Sequence, residues 1–139
     1  MANYVFVSEV SLDLTTPNQF AGLNAGQSWP SPIITPPVSL PFYFDLQIVL
    51  GSFTPTATQT LQIFKLPQTR VSPQLFADPT PSKLIGQMTF IPTAGVKSDY
   101  FENQWCPKVP FRLFITNVSG GATLPTTGNA ITLIYHTEA

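Results

Sequence analysis

Apolar and polar residues alternate with a period of two along several short stretches, the spacing of a strand that buries one face. The clearest stretch is residues 42–50, where Phe42, Phe44, Leu46, Ile48 and Leu50 alternate with Tyr43, Asp45, Gln47 and Val49. Further on, Val109, Phe111, Leu113 and Ile115 alternate with Pro110, Arg112, Phe114 and Thr116, and the turn signal at residues 117–121 ends that strand. Residues 129–137 repeat the pattern, with Ile131, Leu133 and Tyr135 opposite Thr132, Ile134 and His136. Near the start, residues 4–14 place Phe6, Val10, Leu12 and Leu14 in one phase and Glu9, Ser11 and Asp13 in the other, with Ser8 interrupting the apolar face once.

Breakers divide these stretches. Fifteen prolines run from Pro17 to Pro125 and leave no interval for more than a modest helix. Residues 51–59 read as a Thr/Pro turn and residues 60–66 as a strand ending at Pro67, so that 42–50 and 60–66 form a hairpin with a wide loop. Residues 67–81 are again proline-rich, and 83–91 read as a strand whose Gly86 marks a bulge or a close backbone approach. Residues 96–105 fit either a strand or a loop whose aromatics Tyr100, Phe101 and Trp105 plug one end of the fold. Residues 15–41, with six prolines, Trp29 and the Ile33-Ile34 pair, read as an extended arm or long loop that docks onto something. About seven short strands with frequent turns predict an all-β antiparallel sandwich or barrel. Its 139 residues suit a single domain.

Charge changes the picture most. Only 9% of residues are charged, against about 25% in a typical domain, and the net charge is −1. Such a chain has no general attraction for nucleic acid or anionic lipid, and its neutral surface suits life inside an assembly. Cys106 stands alone, so neither an internal disulfide framework nor a multi-cysteine metal site is expected. The start lacks a secretion signal and no apolar run approaches the length of a membrane helix, which predicts a protein made in the cytoplasm and not inserted in a membrane. Asn117-Val118-Ser119 matches a glycosylation sequon, read as chance in that setting.

The candidate chemistry is thin. Cys106 and His136 could form a nucleophile and base, but Cys106 reads more simply as a small apolar filler and His136 as a surface residue of the last strand. Asp99 and Glu102 could pair for acid–base work, or sit in a solvated acidic loop. One histidine and seven scattered carboxylates show no metal-ligand spacing, no Gly-rich loop opens a helix, and no cofactor is expected. Aromatics at 12% of the chain and little charge to repel a partner suit an interface instead, and the candidate contacts are Trp29, Ile33, Ile34, Tyr100, Phe101 and Trp105. The alternative for Trp29 and its neighbours is that they fold back onto their own core.

Four stretches carry a resemblance: Leu61 to Pro67, Lys83 to Gly86, Phe111 to Gly121, and Leu124 to Tyr135 with its Leu-Pro-Thr-Thr-Gly-Asn connection. Together they resemble small virion proteins of tailed bacteriophages, in particular jelly-roll decoration, or cement, proteins of phage heads. The resemblance spans roughly residues 42–135 and rests on strand rhythm and turn residues. It implies a jelly-roll sandwich on the capsid surface, bound outside the major capsid protein shell, bridging its subunits, often as a homo-oligomer such as a dimer or trimer. No catalytic motif comes with it. Two alternatives are a carbohydrate-binding adhesin module, stacking sugars on Trp29, Trp105 and Tyr100 beside Asp99 and Glu102, and a tail or neck component of the same virion.

Overall fold

The computed structural model describes residues 4–37, 43–57, 59–118 and 120–138. The expected strand start at Phe42, the last residues of the arm (38–41) and Ser119 of the sequon lie outside them. Among the described residues the chain forms strands β1 (Tyr4–Ser11), β2 (Ser28–Pro30), β3 (Tyr43–Phe53), β4 (Thr60–Arg70), β5 (Leu75–Phe76), β6 (Leu84–Thr89), β7 (Gly95–Trp105), β8 (Phe111–Asn117) and β9 (Ala130–Glu138), with one 3-10 turn at Pro81–Lys83. All strand pairs are antiparallel.

Two sheets pack face to face. The first has the order β1-β9-β3-β7 and the second β2-β8-β4-β5, with β6 also on β4. The expected all-β antiparallel sandwich is therefore what the chain adopts. The period-two alternation sets the layers: Phe44, Leu46, Ile48 and Leu50 of β3 with Ile131, Leu133 and Tyr135 of β9 face Leu61 and Ile63 of β4 and Phe111, Leu113 and Ile115 of β8 in one buried cluster. Phe44 stacks on Phe111 at 5.6 Å and 27°, joining the two layers. Each such side chain contributes on the order of 2 kcal/mol by leaving water.

Three expectations need correction. Strands β3 and β4 do not form a hairpin: β3 pairs with β7 and β9, β4 with β8, β5 and β6. The two apolar faces bury each other across the core rather than lying side by side in one sheet. Strand β4 also runs through Pro67 to Arg70. Pro67 pairs with Phe111 on one edge, and on the other its carbonyl accepts the Ala77 N–H at 2.9 Å, where no donor from Pro67 is required.

The proline-rich segment is the third. Its described part, residues 15–37, lies back along the second sheet instead of projecting as an arm. Trp29 sits opposite Ile115 in β2, and Ile34 exchanges two backbone hydrogen bonds with Phe111, at 2.8 and 3.0 Å. Trp29 is 1% exposed and Ile34 4%. The indole N–H donates to the Asn18 carbonyl at 2.8 Å and the ring meets the edge of Phe20 at 5.1 Å. The prolines are compatible because β2 is an edge strand of three residues, with a single bridge beyond it. Residues 96–105, left open between strand and loop, form β7, and the Gly86 signal is doubly accounted for. The β4–β6 register shifts there, and a Cβ on Gly86 would stand 2.8 Å from the Phe101 ring.

Candidate functional site

Directly paired residues share a sheet face, so the outer surface of the first sheet follows from its register. Strand β3 contributes Tyr43, Asp45 and Gln47, and β9 contributes Thr132, Ile134 and His136. Two irregularities then decide which aromatics join them. In β1 the register shifts between Phe6 and Ser8, leaving Val7 as an extra residue. Phe6 consequently pairs with His136 on the outer face, while Val10 pairs with Leu133 on the inner one. The single apolar phase expected for Phe6 and Val10 is thus split by the bulge, and Phe6 is 63% exposed.

Strand β7 does the same. Phe101 pairs with Leu46 and Gln104 with Phe44, so Glu102 and Asn103 together oppose Asp45. Asn103 adopts a left-handed φ of 54°, a conformation asparagine tolerates better than most residues. The extra residue brings Tyr100, opposite Gln47, and Trp105, opposite Tyr43, onto one face although they differ in parity. They are 43% and 55% exposed.

Asp45 organises this face. Its Oδ1 accepts the Asn103 backbone N–H at 2.8 Å and lies 3.0 Å from His136 Nε2, and its Oδ2 accepts the Tyr100 hydroxyl at 2.7 Å. Burial pushes the Asp45 carboxyl up, but the hydrogen bonds from Asn103, Tyr100 and His136 outweigh it and hold the group below its ordinary value. Partial burial and the bond to Asp45 push the Tyr100 phenol up to about 12. Tyr43 stacks on His136 at 5.8 Å and meets Trp105 edge-on at 5.7 Å. A shallow groove of 310 Å³ runs over this cluster between Phe6, Tyr100, Glu102, Asn103 and Ile134.

The expected contact residues separate accordingly. Tyr100 and Trp105 lie together on the outer face. Ile33 is 40% exposed and lines another cleft with Val10 and Leu12. Phe101 is partly buried and packs inward against Gly86, while Trp29 and Ile34 belong to the core and present no free surface to a partner. A docking role for Trp29 and Ile34 gives way to the fold-back alternative. The feature sequence reasoning missed is Asp45, which reads only as a polar position in a strand; nothing local ties it to His136, 91 residues away.

The catalytic candidates Cys106 and His136 each have another partner. His136 is 5% exposed rather than on the surface, with Nε2 against Asp45. The Cys106 thiol donates to the Pro107 carbonyl at 3.6 Å, and burial, opposed by the nearby Lys65 charge, pushes it up to about 11. Glu102 lines the groove, whereas Asp99 pairs opposite Ile48 and accepts the Tyr100 N–H at 2.8 Å. Among the described residues no group of three His, Cys, Asp or Glu side chains is placed to hold a metal ion, and no helix is long and apolar enough to cross a membrane. Comparison with known proteins returns no matching family model, no matching curated protein and no matching solved structure.

Proposed function

We propose that this chain is a virion structural protein, a capsid decoration or cement protein that docks on the outside of a major capsid protein shell through the outer face of its first sheet. The observation that carries the reading is the exposed aromatic set Phe6, Tyr100 and Trp105, brought to one face by two bulges and braced by Asp45. Pre-ordered aromatic anchors lose little entropy on docking and account for much of the affinity of protein interfaces. With charged residues at 9% of the chain, little electrostatic repulsion opposes apposition of such a face.

The strand order also favours a jelly roll, an architecture found in viral capsid and lectin domains. Strand β1 pairs with β9 and β2 with β8, the inner strands β3 and β4 continue the two sheets, and from β3 onward the long strands β3, β4, β7, β8 and β9 alternate between them. An interface of about 1,600 Å² suffices for stable attachment, and a dimer or trimer bridging several coat subunits would gain further by avidity.

The test is co-sedimentation of the purified protein with capsids that lack it, together with the temperature at which those capsids rupture. Saturable binding that raises the rupture temperature, lost in the Phe6→Ser/Trp105→Ala double variant, is expected. No binding by the folded protein overturns the reading.

A further inference from the structure

Of the six cationic side chains in this protein, two line one cavity. Lys65 and Lys83, with Ser82, Gln104, Trp105 and Ile85 among their neighbours, line a cavity of 340 Å³ that shares no lining residue with the Asp45 groove, and no carboxylate contributes to its wall. Neither lysine makes an ion pair among the described residues. The Lys65 ammonium donates to the Trp105 carbonyl and lies 5.7 Å from the centre of the Phe44 ring. An ammonium has three donors, so Lys65 retains two for another partner.

This arrangement is unfavourable as it stands. Burial pulls the Lys65 pKa down, the nearby Cys106 sulfur opposes it, and the Lys83 charge adds to the lowering. Two cations sharing a partly buried cavity are stabilised by an anion between them, through charge-assisted hydrogen bonds. The rest of the wall specifies more than charge. Gln104 donates one amide N–H to the Glu102 carbonyl at 2.9 Å, which leaves its second N–H and its oxygen for a ligand, and Ser82 supplies a hydroxyl. Trp105, 55% exposed overall, also lines the wall, and a volume of 340 Å³ lies at the small end of ligand sites, which run from about 300 to 1,000 Å³.

We propose that this cavity binds a carboxylate-bearing sugar, a hexuronate residue. The sugar's carboxylate sits between Lys65 and Lys83, its hydroxyls meet Ser82 and Gln104, and a C–H face of the ring lies on Trp105. The site shares Trp105 with the proposed docking face, but Lys65, Lys83, Ser82 and Gln104 are not among the docking anchors, so the proposal stands or falls without the capsid reading.

The experiment titrates the ¹⁵N-labelled full chain with glucuronate, with glucose, and with inorganic phosphate, reading the Gln104 side-chain amide and the Trp105 indole N–H. Glucuronate should give saturable shifts that weaken with salt, with glucose and phosphate each at least about tenfold weaker. Lys83→Gln should weaken glucuronate about tenfold, the loss of one charge-assisted hydrogen bond, while the remaining spectrum shows an unchanged fold. Lys65→Met is the second variant and should act in the same direction. Absence of a saturable shift, equal affinity for glucose or phosphate, or an undiminished response in folded Lys83→Gln overturns the proposal. Because Lys83 lies outside the aromatic docking face and the probe is a free sugar, neither result bears on capsid attachment.

Discussion

Replacing Trp29 by alanine separates a docking arm from a core element. Trp29 is 1% exposed, its indole N–H bonds the Asn18 carbonyl, and its ring packs on the fully buried Phe20. Truncating a buried tryptophan costs about 3–5 kcal/mol through lost transfer energy and the cavity left behind. The aromatic pair accounts for about 1 kcal/mol of that, and the hydrogen bond for a similar amount. Against a total stability of about 5–15 kcal/mol, Trp29→Ala should lower Tm by about 10–20 °C. Trp29→Phe keeps most of the ring but loses the donor, and should cost about 1–2 kcal/mol. Trp105→Ala removes a half-exposed ring and should cost below about 1 kcal/mol. Urea denaturation measures all three. In a Trp105→Phe background Trp29 is the sole indole, and its emission should be blue-shifted in the native state and move to the red on unfolding. A Trp29→Ala variant within about 1 kcal/mol of the parent would refute the core assignment.

Three further outcomes are expected. Asp45 has a native pKa below its unfolded value, so its stabilisation is present above about pH 4 and is lost as pH falls through the lowered native value. Asp45→Asn should therefore cost about 1–2 kcal/mol at pH 7 and progressively less below pH 4; a constant difference in denaturant midpoints across that range would contradict it. A Cβ at Gly51 would stand 1.9 Å from the Thr127 carbonyl oxygen, so Gly51→Ala must displace backbone and should cost about 2–3 kcal/mol in thermal unfolding. The Cys106 thiol is 3% exposed with a pKa near 11, which leaves a thiolate fraction on the order of one in a thousand at pH 8. Colorimetric thiol labelling should be slow in the folded protein and prompt in denaturant.

The alternation in β3, β8 and β9 is readable because each strand presents one uninterrupted face to the core over seven or more residues. The outer face was not readable, since it depends on two bulges. A bulge is a property of two strands in register: Val7 does not differ locally from an ordinary strand residue, and Asn103, though a type that tolerates a left-handed φ, does not by itself mark where the register shifts. The partnership of strands was hidden for the same reason: residues 42–50 and 60–66 each show a buried face without saying which neighbour completes their sheet. Gly86 was legible in kind, because a glycine within a strand signals close approach, although only the fold names Phe101 as what approaches. Trp29 could be read equally as anchor or core from its proline-rich surroundings. The hydrogen bond to Asn18 and the pairing with Ile115 decide it.

The pairing of β1 with β9 also orders events during synthesis. Tyr4–Ser11 leaves the ribosome more than a hundred residues before Ala130–Glu138, the strand it pairs with. Until then β9 is also missing from between β1 and β3, so the first sheet lacks its middle and the nascent chain carries Val10 and the apolar side of β3 uncovered. Closing so long a loop makes folding slow and late, and the waiting segment, with Glu9 as its one charge, has little to deter pairing with another unfinished copy. High-level expression should therefore be limited by capture of incomplete chains, and shelter by a chaperone during translation should raise the soluble yield more than any change that stabilises the finished domain.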